Sequence, residues 1–267
     1  MNDQIRLDFR NIKAVPSGPF LSGQKETAQE KDEKNCEVYH FHNSRELYEA
    51  FLSELSEFII DTFEEKLLLY FAKQYKTEGT TYHGKELLSY LKNLEQTPMF
   101  SRENKKRAVF KGLSLYFAEK DSANVNGLVT FRLREYLKIL ERTAQKLVEC
   151  YETETEYREF ISLLKYFVTV QEDRLEVVHL IVDEMCAYKI LDENKQDITE
   201  KSIREFVYPL DASCENYDDL LLSVLITLAP KKLIIHRPEK ILNQDLFETI
   251  TRVFSNISYC KYCDLCK

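Results

Sequence analysis

Apolar side chains at Leu47, Phe51, Leu55, Phe58, Ile59, Phe63, Leu67, Tyr70 and Phe71 recur every three or four residues, so one side of a long helix faces a core. Gly79 marks its exit. Just before it, Glu37-Val38-Tyr39-His40-Phe41-His42 is β-prone, and Asn43 with Glu46 three residues on forms a capping pair, so a strand hands over to the helix. Two further one-faced patterns predict helices over Lys85–Gln96 and Arg102–Glu119, the second started by Ser101 after Pro98 and ended by the loop from Asp121 to Gly127. Leu133, Leu137, Leu140, Ala144, Leu147 and Tyr151 then step by four and three, and Thr153 with Glu156 reads as a cap for another helix carrying Tyr157, Phe160, Ile161, Leu164, Phe167 and Val168. This pair predicts an antiparallel helical hairpin packed inside a bundle.

The period changes after Gln171. Arg174–Val182 and Ala187–Leu191 are rich in β-branched and apolar residues and predict two strands with a turn near Asp183 and Glu184. Asp218 and Asp219 suit the positive end of a helix running to Ala229; Lys232–His236 reads as a buried strand, Asn243–Phe254 as a helix and Ile257–Cys260 as a last short strand. The expected fold class is therefore α+β and predominantly helical, with an N-terminal helical bundle portion packed with a small C-terminal α/β sheet portion. The expected division is a flexible N-terminal extension over 1–36, a mainly helical region over 37–170, a small α/β region over 171–259 and a Cys-rich tail over 260–267. Within the extension Ile5, Leu7 and Phe9 alternate with polar residues and allow a short strand, whereas 13–35, with Pro16, Gly18, Pro19 and Gly23, reads as linker.

Composition narrows the class. With 44% hydrophobic residues and only six Gly and six Pro in 267 residues, the chain can bury a sizeable core. The longest nearly unbroken apolar run, Leu220–Ala229, is about half of the ~20 residues that a spanning helix needs, and the start Met1-Asn2-Asp3-Gln4 does not support a secretory signal. A cytoplasmic protein without membrane insertion is the expectation. Seven Cys, an odd number, then read as thiols or metal ligands rather than a disulfide framework. The formal charge of −8 argues against nucleic-acid binding. Charge is unevenly spread, though: residues 101–148 hold eleven basic against five acidic side chains, and 149–219 hold seven against nineteen.

That asymmetry supplies the candidate partner surface. Spacing of three and four places Arg134, Lys138 and Arg142 on one helical ridge, and Arg102, Lys105 and Lys106 on another, able to meet phosphates or an acidic protein partner; homo-oligomerisation stays open. Enzyme signatures such as a phosphate-cradling glycine loop or a nucleophile elbow do not occur. The sharpest chemistry is terminal. Cys260, Cys263 and Cys266 are each separated by two residues, a spacing that turns sulfurs toward one ion and recurs in zinc and iron–sulfur sites. His236 is the leading fourth ligand, because it ends the preceding predicted strand and a parallel pairing would set it beside Cys260; Cys36, Cys186, Cys214 or a second chain are the other donors. His40 and His42 share a strand face without a third ligand, and His179, inside the run from Val177 to Ile181, reads as a core or interface histidine with a satisfied hydrogen bond rather than a catalytic base.

Several stretches together resemble the YtxC-like family of sporulation proteins of endospore-forming bacteria. They are Gly127–Leu133 with Tyr136; Glu159-Phe160-Ile161, Leu164–Val168 and Gln171-Glu172; Val178-His179; Leu225–His236; and the terminal Cys pair. The resemblance implies a cytoplasmic protein of sporulating bacteria and carries no catalytic residues across. Two functions remain. The first is a non-enzymatic interaction or regulatory protein in endospore formation. The second is a metal- or nucleotide-dependent enzyme with its site on the C-terminal sheet, around His179, Asp183, Glu184, His236 and the Cys tail.

Overall fold

The computed structural model describes residues 4–10, 12, 24–27, 36–42, 44–75, 83–171, 175–182, 188–204 and 216–266. Its elements form a predominantly helical α+β fold, divided into two compact units over 1–153 and 154–267.

In the first unit β1 (Gln4–Asp8), β2 (Gln24–Thr27), β3 (Cys36–His40) and β4 (Ser122–Asn124) form one sheet in the order β2-β3-β1-β4. The alternation of Ile5, Leu7 and Phe9 drives β1 into the middle of that sheet. All three are buried, Ile5 stands opposite Tyr39, and the Phe9 ring meets Phe58 edge-on at 5.7 Å. Part of the 1–36 segment is thus built into the sheet, because three large apolar side chains cost too much to leave in water. Residues 13–23 and 28–35 of the expected linker lie outside the described residues.

The helices of this unit are α1 (Arg45–Ala72), α2 (Gly84–Ser89), α3 (Leu91–Leu94), α4 (Arg102–Phe117) and α5 (Val125–Phe131). Ser44 caps α1 by accepting from the Leu47 amide at 3.3 Å, while the expected cap Asn43 lies outside the described residues. Ser101 caps α4 as its position predicts. The expected helix over Lys85–Gln96 divides at Tyr90 into α2 and α3, and the expected loop after Asp121 instead holds β4 and α5, capped by Asn124 Oδ1 on the Gly127 amide at 3.0 Å. The ridge of Arg102, Lys105 and Lys106 is not an open phosphate surface. Lys105 is fully buried and its Nζ pairs with Glu64 and, at 2.7 Å, Glu95; Arg102 pairs with Glu57 and Asp61, and Lys106 with Glu57. These charges clamp α4 to α1.

The expected helical hairpin is a single helix, α6 (Arg134–Val170), 37 residues long. Nothing between Tyr151 and Glu156 breaks a helix, and Thr153 turns its hydroxyl back to the Glu149 carbonyl at 2.9 Å instead of capping a new one.

The second unit contains β5 (Val177–Val182), β6 (Tyr188–Leu191), α7 (Thr199–Arg204), α8 (Asn216–Leu228), β7 (Lys232–His236), α9 (Gln244–Val253) and β8 (Ile257–Cys260). Its sheet runs β6-β5-β7-β8, with β6 antiparallel to β5 and the β5–β7 and β7–β8 pairs parallel. The strands alternate cleanly. Val178, Leu180, Val182, Leu233 and Ile235 join the core with Leu225 of α8 and Ile250 of α9, which leaves His179 and His236 on the opposite face.

Candidate metal centre

The C-terminal ends of the parallel strands β7 and β8 build the site. In register, His236 is the partner of Cys260, so the last side chain of each strand points the same way from the same edge. The ladder continues one step further, with the Arg237 amide donating to the Cys260 carbonyl at 3.0 Å. Arg237 then takes a left-handed backbone, φ 56°, which turns the chain away into a 3-10 turn at Pro238–Lys240. After Cys260 the chain folds back on itself. A second 3-10 turn, Asp264–Cys266, is closed by the Cys266 amide on the Cys263 carbonyl at 2.9 Å.

These two turns gather four donors. His236 Nδ1 lies 3.2 Å from Cys263 Sγ and 3.4 Å from Cys266 Sγ; Cys263 and Cys266 sulfurs are 3.5 Å apart, and Cys266 and Cys260 sulfurs 3.8 Å. All four ligand atoms lie within 4.8 Å of one another, and among the described residues this is the one group of three or more that could hold a metal ion. A tetrahedral ion with bonds of about 2.3 Å to sulfur and about 2.0 Å to nitrogen requires sulfurs roughly 3.8 Å apart and nitrogen roughly 3.5 Å from each, so the tetrad fits a single ion with little adjustment.

The electrostatics prepare the donors unequally. The Cys260 thiol is held below the usual thiol range, first by the Cys263 thiol, then by the amides of Tyr262 and Cys263 acting against burial. Burial pushes the Cys266 thiol up to about 11. His236 is only 2% exposed, and burial, helped by nearby His179, lowers its pKa, so its ring is neutral at pH 7 and able to ligate. A bound dication would draw all three thiols into the thiolate form.

The other candidates part ways. His179 on β5 is half-buried on the face away from the core, and its hydrogen-bond partner belongs to the site itself: its Nδ1 is 2.9 Å from His236 Nε2. The Val177–Ile181 run places His179 in an apolar stretch and does not tell which strand stands alongside. Arg134, Lys138 and Arg142 are exposed along α6. Cys36 sits buried in β3 of the first unit, accepting from Arg6 Nε at 3.5 Å. His40 and His42 rings lie 6.5 Å apart. Asp183, Glu184, Cys186 and Cys214 lie outside the described residues.

Fold and site together define a helical α+β protein whose C-terminal sheet ends in a Cys₃His cluster. The chain belongs to the YtxC-like family, whose sequence profile matches residues 45–257. It is similar to a Bacillus subtilis (strain 168) protein described as "Uncharacterized protein YtxC", with 25% identity over 158 residues, 57% of this chain and 52% of that one. The match therefore spans about half the length of that relative. No solved structure matches. The profile ends three residues before Cys260, so it includes His236 and does not reach the three cysteines.

Proposed function

We propose that His236, Cys260, Cys263 and Cys266 hold one structural zinc ion, and that the protein is a non-enzymatic interaction or regulatory protein, cytoplasmic and acting in endospore formation. The observation that carries the metal reading is the mutual closeness of the four ligand atoms. Four protein ligands fill a tetrahedral shell and leave no position for water or substrate, which is the chemistry of a structural rather than a catalytic site. Zinc is the match for a three-sulfur, one-nitrogen donor set, whereas an iron–sulfur cluster would need its cysteines spread around a larger body. Such an ion would pin the tail against the ends of β7 and β8.

The interaction reading is supported by the exposed ridge of Arg134, Lys138 and Arg142, which suits an acidic protein partner, and by family membership. No helix among the described residues is long and apolar enough to cross a membrane. The role in endospore formation comes from the family resemblance and not from any side chain of the site.

Chelation tests the metal reading. Removing the ion from anaerobically purified protein should lower the thermal midpoint by several degrees, because the ion binds the native form only. The double variant Cys260→Ser, Cys263→Ser should melt like the chelated parent and be indifferent to chelator. A parent whose midpoint is unmoved by chelation would count against the site.

A further inference from the structure

His236 is buried to 2% exposure, and both of its ring nitrogens face specific neighbours. Nδ1 points at the sulfurs of Cys263 and Cys266, while Nε2 meets His179 Nδ1 at 2.9 Å. We infer that His179 is the positioning residue of the metal centre: its Nδ1 accepts the Nε2–H of His236, fixing the tautomer and ring angle that present Nδ1 to the ion. The inference rests on the metal reading above.

The fold makes this contact specific. β5 and β7 pair in parallel with Ile181 opposite His236, so His179, two residues earlier on the same face, is the diagonal neighbour of the ligand. A buried imidazole that gives one nitrogen to a metal must donate from the other or leave a polar group stranded, and the second partner commonly sets ligand orientation. An imidazole also suits the charge. One zinc ion with three thiolates already carries a net −1, and a carboxylate at position 179 would add a second negative charge beside it, whereas a neutral ring accepts the same hydrogen bond without doing so.

The test uses the full chain and zinc itself, titrated in competition with a chromophoric chelator. His179→Leu removes the acceptor and should weaken zinc binding about 10- to 100-fold. His179→Asn keeps an oxygen near the position of Nδ1 and should recover much of that loss. Cobalt substitution provides a spectroscopic readout. The thiolate bands should persist in both variants, since the sulfurs stay, while the ligand-field band of the His179→Leu protein should shift as the fourth ligand loosens. Zinc should widen the gap in thermal midpoint between the parent and His179→Leu, because the positioning role adds to the hydrogen bond itself only when the ion is bound. Parental zinc affinity in His179→Leu, or equal destabilisation of the metal-free and zinc-bound forms, would overturn the inference while leaving the metal centre intact. A parent that takes up no metal would overturn the centre, and the inference with it.

Discussion

Asp8 shows how one carboxylate can join three pieces of chain. It receives the Arg10 guanidinium (2.8 Å from Nε to Oδ2, 2.6 Å from NH2), the Arg10 amide at 2.9 Å and the Asn124 side-chain amide at 3.1 Å, and Asn124 in turn caps α5. The Arg10 hydrogen bond is the chief reason why the Asp8 carboxyl titrates at about 2, below its ordinary value near 4. A depressed carboxylate stabilises the fold above the unfolded pKa and loses that contribution as pH falls through the folded one. Asp8→Asn should therefore cost about 1–2 kcal/mol at pH 6, given the exposure of Arg10, and the gap to the parent should close between pH 4 and pH 2. Chemical denaturation across that range checks it; a gap independent of pH would exclude the charge as the cause. The Asn124 contact was not visible in the sequence, because Asp8 and Asn124 are 116 residues apart. The candidate metal ligands were more legible: two-residue Cys spacing is local, and the strand pattern carried His236 and Cys260 to matching ends. His179 needed the strand order.

Among the elements, local pattern located β3, α1, α4, β5–β8, α8 and α9 well, since each carries its own period, and it missed the short α7. It failed where two local readings compete. Thr153 can cap a helix or bond back within one, and only the absence of any Gly or Pro nearby favours the second, which the unbroken α6 displays. The charge ridge on α4 failed for another reason. Lys105 has the same spacing as its exposed neighbours, and its burial depends on Glu64 of α1 and on Glu95 arriving opposite. Removing one member strands the rest. Lys105→Met should destabilise the protein by about 3 kcal/mol, chiefly by leaving the buried Glu64 carboxylate uncompensated, and adding Glu64→Leu should restore most of that loss. Urea denaturation of the two variants decides it; a double variant no better than the single one would show that Lys105 contributes through packing.

For the whole chain, the sequence divides its charge, with basic side chains concentrated over 101–148 and acidic ones over 149–219. Much of the basic excess on α4 is spent on ion pairs with α1, and Lys111 meets Glu135 at 3.1 Å. Arg134, Lys138 and Arg142 remain exposed along α6, where the proposed partner surface lies. If the proposed partner surface is right, reversing all three to Glu should abolish a salt-sensitive interaction in a pull-down from sporulating cells, yet move stability by only about 0.5 kcal/mol per site. Capture of the same partners by the reversed protein would remove the ridge from the account. Whether the four side chains hold an ion is decided by X-ray absorption at the metal edge of the anaerobically purified full chain. The expected spectrum is that of one zinc per chain with three sulfurs at about 2.3 Å and one nitrogen at about 2.0 Å. Protein without a stoichiometric metal, or a metal surrounded by oxygen, would contradict the proposed metal centre.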